Sequence, residues 1–377
     1  MNILHLTLDQ TIAQDGKETV FYNMLKHFSR YWGRIDVLCP GSAISKKRTI
    51  YKNIHVHPSP WSFWFQIPFI VIEGSKLLAT NRYSAILVQS CPPFFLDIAA
   101  LYLRLRFRIP VILEVMHVVG YPKATGIWER IGPALTKFWL RLVSSNLVAI
   151  RVINKETYAL LLAWDIPKTK ILLVPAFYLD SNLFQKIKGI KKEKNSILFI
   201  GRLVANKGVF ELLKAITKIK EKIPDVTLTV IGEGPLRPKI KLFIEQNGLH
   251  SAVKFVGFLK TQEELVRFYN QSEVLAVVSY NEGGPRVVLE AMACGLPVVS
   301  TNVGIVGDVI KDGENGLLTS WDPIDIAQKL TLLLKDNKLR YTFSSRNLDT
   351  IKQFEARKMI QNYAQAYKKL LQNHEAH

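Results

Sequence analysis

The chain is expected to fold as a doubly wound α/β protein of two lobes, and three observations predict this. Short, continuously apolar runs alternate with amphipathic stretches along the sequence, the pattern of parallel strands covered on both faces. The alternation breaks once, at the charged, core-poor stretch "QKIKGIKKEKN" (185–195), and then restarts. With 377 residues, 48% of them hydrophobic and only 21 Gly and 17 Pro, the chain has the length and apolar content for two full cores.

In the first lobe, residues 1–185, "NILHLTL" (2–8) reads as a strand, 18–30 as a helix and "RIDVLC" (34–39) as a strand. "SAILVQS" (84–90) is a strand, "FFLDIAALYLRLRF" (94–107) a helix and "PVILEVMH" (110–117) a strand, with "LVAIRVI" (147–153) and "KILLVP" (170–175) after it. In the second lobe, 196–350, "SILFIGRL", "VTLTVIGEG", "VKFVGFL" and "EVLAVVSY" read as strands separated by amphipathic helices. A helical tail, 351–377, is expected to pack back on the first lobe. Ligands of such folds bind beyond the carboxyl ends of the strands and in the crevice between lobes.

Bulk properties narrow the function. Three cysteines, Cys39, Cys91 and Cys294, lie far apart in apolar contexts, as buried thiols of a reducing compartment do. The start "MNILHLTLDQ" lacks the basic segment of a signal peptide, and no apolar run approaches the ~20 residues that span a bilayer. The expectation is a cytoplasmic protein, soluble or peripheral on the cytoplasmic membrane face. A net charge of +19 calls for an anionic partner: nucleic acid, an anionic membrane or a phosphorylated substrate. Zinc-finger spacing, an aromatic RNA-binding signature and a lysine-rich tail are all missing, so nucleic acid is set aside.

Three strand ends of the second lobe point to phosphate. "GRLVANKG" places Arg202 and Lys207 in a Gly-containing loop that feeds a helix. "GEGP" follows the next strand. "NEGGPRVVLEAMACG" (281–295) sets Glu282 before a Gly-Gly-Pro turn and Glu290 inside a short helix that Pro285 should open as its first residue. Gly283 and Gly284 let the backbone approach a ligand, and the helix start offers free N–H groups. Fixed cations beside a helix start suit a diphosphate. The chain has no Asp-x-Asp, so no metal is expected and the cations would be the protein's own.

Taken together, Glu282-x7-Glu290 in "EGGPRVVLEAMACGLPVVST", with "GRLVANKG", "GEGP" and "GF", resembles the retaining nucleotide-sugar glycosyltransferases of family 4, which have the GT-B fold. "DGKETVFYNML" (15–25), His117 after "PVILEVM" and "VPAFYLDSNLF" (174–184) resemble first-domain motifs of that family. The resemblance implies a nucleotide-diphosphate sugar donor and a glycan or lipid-linked acceptor, with Glu290 on the ribose and Arg202 and Lys207 on the diphosphate. Amides around Gly284, Arg286 and Val287 would assist, Glu282 and His117 would hold the donor sugar, and Gly16 would make room for the leaving phosphate. The departing phosphate, not a second carboxylate, would take the acceptor's proton. The chain departs from the family at Gly-Gly-Pro-Arg, at Asp15-Gly16 and at "AFYL" before Asp180.

Plainer roles stand beside these. Arg286 and Glu290 are spaced for an i,i+4 ion pair worth ~0.2–0.5 kcal/mol. Arg202 and Lys207 suit solvated loop charges, His117 a structural histidine, Gly16 an ordinary turn and Glu18 a helix cap. The stretch "WSFWFQIPFIVI" (61–72) fits a buried core, a hydrophobic lip or a shallow membrane dip, and residues 98–155 hold nine Lys/Arg against two acids. A nucleotide-sugar 2-epimerase or a non-catalytic sugar-nucleotide-binding protein would share much of this pattern.

Overall fold

In the computed structural model the described residues are 1–14, 20–42, 44–175 and 179–375. Gly16 and Glu18 lie outside them, as do residues 176–178 of "AFYL". Two sheets organise the chain. The first joins β1 (Asn2–Leu6), β2 (Arg34–Pro40), β3 (Arg48–Ile50), β4 (Ile54–Ser59), β5 (Ala85–Gln89), β6 (Val111–Val115), β7 (Ala149–Val152) and β8 (Ile171–Leu173). Their order is β3-β4-β2-β1-β5-β6-β7-β8, parallel except for the edge pair β3–β4. Helices α1 (Val20–Phe28), α2 (Gln66–Thr80), α3 (Phe95–Phe107), α4 (Ile127–Val143) and α5 (Lys155–Ala163) connect them. The order reverses direction at β1, so ligand-facing loops diverge around that strand.

The second sheet is wholly parallel: β9 (Ser196–Ile200), β10 (Thr227–Ile231), β11 (Val253–Gly257), β12 (Val274–Val277), β13 (Val298–Thr301) and β14 (Leu317–Thr319), in the order β11-β10-β9-β12-β13-β14. Helices α6 (Val209–Lys222), α7 (Arg237–Gln246), α8 (Gln262–Gln271), α9 (Arg286–Ala293), α10 (Val306–Val309) and α11 (Pro323–Lys335) link its strands. Apolar side chains from both faces of the central strands, such as β1, β5, β6, β9, β12 and β13, are buried, which is why these strands read as unbroken hydrophobic runs. Each run is trimmed where its motif begins: β9 stops before Gly201 and β10 before Gly232.

The helical tail is interrupted. Helix α12 (Asn337–Ile351) and helix α13 (Ala356–Glu375) are parted by a tight turn at Lys352–Phe354. There the chain from the first lobe crosses it: Leu179 N–H donates to Phe354 O at 2.9 Å and Ala356 N–H to Leu179 O at 3.1 Å. Helix α13 then lies on the first sheet, burying Ile360, Tyr363, Tyr367 and Leu371 against α1 and the strands. Beneath it is a dry charged cluster. Arg151 of β7 donates to Glu114 of β6 at 2.7 Å and to Val174 O at 2.9 Å. Tyr367 donates to Glu114 at 2.6 Å, and Tyr363 donates to the same carboxylate. The apolar reading of 110–117 and 147–153 passes over these two charges because single ionic residues do not break a buried run.

Helix α4 adds an element that the apolar periodicity does not mark. Its inward residues are Gly132, Thr136, Leu140 and Val143, and its large apolar residues face solvent. The stretch 61–72 is divided lengthwise: Phe69 and Ile70 are core, whereas Trp61, Trp64, Phe65 and Ile72 are exposed. Cys39 and Cys294 are buried and Cys91 is partly so, all three as free thiols.

Candidate functional site between the lobes

The loop after β9 positions two cations differently. Arg202, next to the strand end, is exposed and lines a cavity of about 810 Å³ walled by Gly201, Gly232, Glu233 and the loop after β11 from Gly257 to Glu263. Six residues on, the loop turns through Gly208 at φ +65°, where a Cβ would meet Val278 O at 2.1 Å. That close seating on β12 aims Lys207 at the neighbouring strand end. Its ammonium lies 2.7 Å from Glu282 Oε1, and both side chains are only partly exposed. Ser279 Oγ donates to the same carboxylate oxygen.

Glu282 begins the loop that leads into α9, and this loop touches the first lobe. A Cβ on Gly283 would stand 2.2 Å from Met116 O and 3.1 Å from His117 Cβ, so only glycine fits there. Asn154 donates to Gly283 O at 2.7 Å, and Asn281 donates to Lys123 O at 2.9 Å. His117, two residues beyond β6, is thus held against Gly283. Crowding by the cleft walls lowers its pKa, opposed by the Glu282 and Glu129 carboxylates, although the ring keeps contact with solvent. Helix α9 opens at Arg286 with Pro285 as the extended residue before it, one position later than the spacing suggests. Its first amides, at Arg286 and Val287, have no intrahelical acceptor.

Within α9, Glu290 is buried and accepts from Tyr269 Oη at 2.8 Å. Arg286 Nε approaches it at 3.9 Å, so the i,i+4 pair exists, loosely. Burial raises the Glu290 pKa, and Arg286 and Tyr269 offset part of that rise. Arg286 also lines a second cavity of about 500 Å³, with Lys26, His27, Asp180 and Arg357. Asn23 borders both cavities. The structure therefore joins Lys207 with Glu282, Arg286 with Glu290, and His117 with the Gly283–Gly284 turn, while Arg202 faces the larger cavity. Gly16 lies outside the described residues.

Several participants have no sequence signal. Tyr269 is 21 residues from its partner Glu290 and reads as an ordinary core aromatic. Lys123 sets its ammonium 4.8 Å from the ring centroids of both Tyr280 and Trp321, a cation–π contact across the lobes. Glu156 of α5 accepts from Gly304 N–H at 2.8 Å beside Asp308, and burial lifts its pKa to about 7. Among the described residues no three His, Cys, Asp or Glu side chains are grouped to hold a metal ion, and no helix is long and apolar enough to cross a membrane.

Two facing parallel-sheet lobes with such a cleft define the GT-B fold. A sucrose-phosphate synthase from Thermosynechococcus elongatus matches over 99% of both chains with a TM-score of 0.82 at 19% identity. HepE of Anabaena, solved with UDP-glucose, matches over 98% of this chain and 100% of its own, with a TM-score of 0.76 at 17% identity. Residues 180–349 match the family model described as "Glycosyl transferases group 1". An uncharacterised glycosyltransferase of Methanocaldococcus jannaschii is 33% identical over 204 residues, 51% of this chain and 56% of the relative. The alignments span about half the length of the curated relatives matched.

Proposed function

We propose that the protein is a retaining glycosyltransferase of family 4 that moves a sugar from a nucleotide-diphosphate donor to a hydroxyl acceptor without a metal. The acceptor class is a cell-surface polysaccharide, a lipopolysaccharide or a lipid-linked glycan intermediate at the cytoplasmic membrane face. The observation that carries the proposal is the Lys207–Glu282 pair, 2.7 Å apart at the mouth of the α9 turn. A carboxylate for sugar hydroxyls and a cation for phosphate stand within hydrogen-bond distance of each other. An incoming diphosphate competes for Lys207 and leaves Glu282 to the donor sugar.

The chemistry follows from that exchange. The bond between the anomeric carbon and the phosphate oxygen breaks, and its electron pair leaves on the diphosphate. Arg202, Lys207 and the amides at Gly284, Arg286 and Val287 stabilise the charge that develops there. The acceptor oxygen bonds to the anomeric carbon on the face being vacated, and its proton passes to the departing phosphate. His117 contacts the donor sugar from the opposite wall, and Glu290 accepts from the ribose. A UDP-sugar is the first donor to try, since HepE of the same fold binds UDP-glucose.

The test is a thermal-shift screen of UDP-, GDP- and ADP-sugars, where native-state binding stabilises by RT ln(1 + [L]/Kd). One nucleotide should raise the midpoint equally with and without Mg²⁺, and donor hydrolysis should vanish in Glu282→Ala. A donor that binds only with Mg²⁺, or binds equally well when Arg202 and Lys207 are both replaced, overturns the proposal. Inversion at the sugar's C2 without an acceptor would make the protein an epimerase.

A further inference from the structure

Helix α4 exposes the wrong side of its sequence for a soluble protein. Ile127, Trp128, Ile131, Leu135, Phe138 and Leu142 recur three or four residues apart along one outward stripe and are 41% to 81% exposed. The layer continues beside it. Helices α2 and α3 lie on the same face of the sheet, joined to α4 through Phe94 stacked on Trp139 and a 2.8 Å hydrogen bond from Trp139 to Asp97. Ile98, Tyr102 and Leu105 of α3 are exposed, as are Trp61, Trp64, Phe65 and Ile72 at the start of α2. Among the described residues these three helices and the approach to α2 show thirteen exposed large apolar side chains, and all of 196–351 shows five. A patch on that scale marks a docking site.

Charge selects the partner. The three helices carry three acids, and none faces outward. Glu73 is buried against Lys47 and His57, and Asp97 is buried against Ser90 and Trp139. Glu129 turns to the cleft, where it accepts from Thr125 and Asn281. The bases interleaved with the apolar stripe are Lys76, Arg104, Arg106, Arg130, Lys137 and Arg141. Among the described residues, Arg141 alone of these has a carboxylate from outside the layer, Asp165 at 3.6 Å. Apolar anchors with tryptophan, ringed by bases and free of acids, match the boundary between acyl chains and anionic headgroups.

We infer that this face docks on an anionic lipid bilayer, with α4 lying along the headgroup–acyl boundary. The inference deepens the proposed function, because α4 begins at the cleft. Glu129, one residue after Trp128, bonds Asn281 next to Glu282, and Gly132 packs on Val119 of the His117 loop. A bilayer under α4 therefore lies beside the cleft mouth, within reach of an acceptor carried by a lipid.

The full chain is mixed with vesicles of phosphatidylcholine, alone or with phosphatidylglycerol, and bound protein is measured by flotation. Wild type should float with the mixed vesicles and not with phosphatidylcholine alone. Trp128→Glu with Phe138→Glu should lower retention by at least about tenfold, and Arg106→Glu with Arg130→Glu should abolish the preference for phosphatidylglycerol. Tyr341→Glu, exposed on α12, should change neither. Equal retention of the α4 variant, or equal binding to neutral vesicles, overturns the inference. So does a lipid-free dimer in sedimentation velocity that the same α4 substitutions dissolve, since the face would then cover a second copy. Thermal shift with UDP-glucose on these variants separates the two proposals: loss of flotation with donor binding intact concerns the face, and absence of donor binding in every form concerns the transfer.

Discussion

Two carboxylate–cation pairs of equal length sit in opposite settings in this molecule. Glu114 and Arg151 meet at 2.7 Å beneath the C-terminal helix, as Glu282 and Lys207 do in the cleft. The first pair is sealed from water and surrounded by further donors from Tyr363 and Tyr367, with His5 3.6 Å from the carboxylate. Desolvation alone would raise the Glu114 pKa, but Arg151, His5 and the tyrosines more than offset it and hold the carboxylate ionised. The second pair is open on one side, with a serine as its other neighbour. Distance therefore does not distinguish the two pairs. Solvent access does, at 18% and 15% exposure for the Lys207 and Glu282 side chains against 0% and 1% for Arg151 and Glu114.

The largest effect should come from breaking the sealed pair. Arg151→Met leaves Glu114 buried without its cation and should lower stability by about 3–5 kcal/mol, read from the urea midpoint. Turnover per folded molecule should persist. The open pair should behave the other way round. Lys207→Ala or Glu282→Ala should lower sugar transfer about 10²–10³-fold, while the urea midpoint shifts by less than about 1 kcal/mol equivalent. A matching loss of stability in both pairs would erase the distinction.

A smaller effect tests Glu290, which combines features of both. Its carboxylate is buried like Glu114, and among the described residues its partners are Tyr269 and a distant Arg286. Glu290→Gln should weaken donor binding by about 1.5–3 kcal/mol, measured by calorimetry. Because burial raises its pKa, wild-type affinity should fall as pH drops into that raised range, and the Gln variant should be flat.

The smallest effect concerns the seam. Glu156 has a folded pKa near 7, above the ordinary carboxyl value, so the fold favours its protonated form. Its stabilising share is present below the ordinary carboxyl pKa and is lost as pH rises through 7. Glu156→Gln should therefore gain on wild type in thermal midpoint between pH 5 and about 7.5, by the equivalent of about 1 kcal/mol or less once its partial exposure to water is allowed for. A constant difference across that range would exclude Glu156 as the titrating group.

Much of the fold was legible because parallel strands buried on both faces must be continuously apolar, as "SILFI" and "VVST" are. Helix α4 was not, because its apolar residues answer to the outer surface and its core contacts are made by Gly132 and Thr136. At the candidate site, the positions of Arg202, Lys207 and Glu282 were readable because each follows a strand end by a short loop, and that of Glu290 because it lies on the helix entered from such a loop. Tyr269, Asn154 and Lys123 were not, because they meet the site from 21 to 158 residues away along the chain.

By itself, then, the sequence determined which residues end the strands and which loops carry charge, since local spacing and hydrophobic period act within a few residues. Only the tertiary structure decided which charges face each other: that Lys207 turns to Glu282, that Gly283 admits the first lobe, and that Arg151 disappears beneath the tail. Those pairings depend on how two separately folded sheets and a returning helix approach one another, a geometry set by packing over the whole chain and encoded in no short stretch of it.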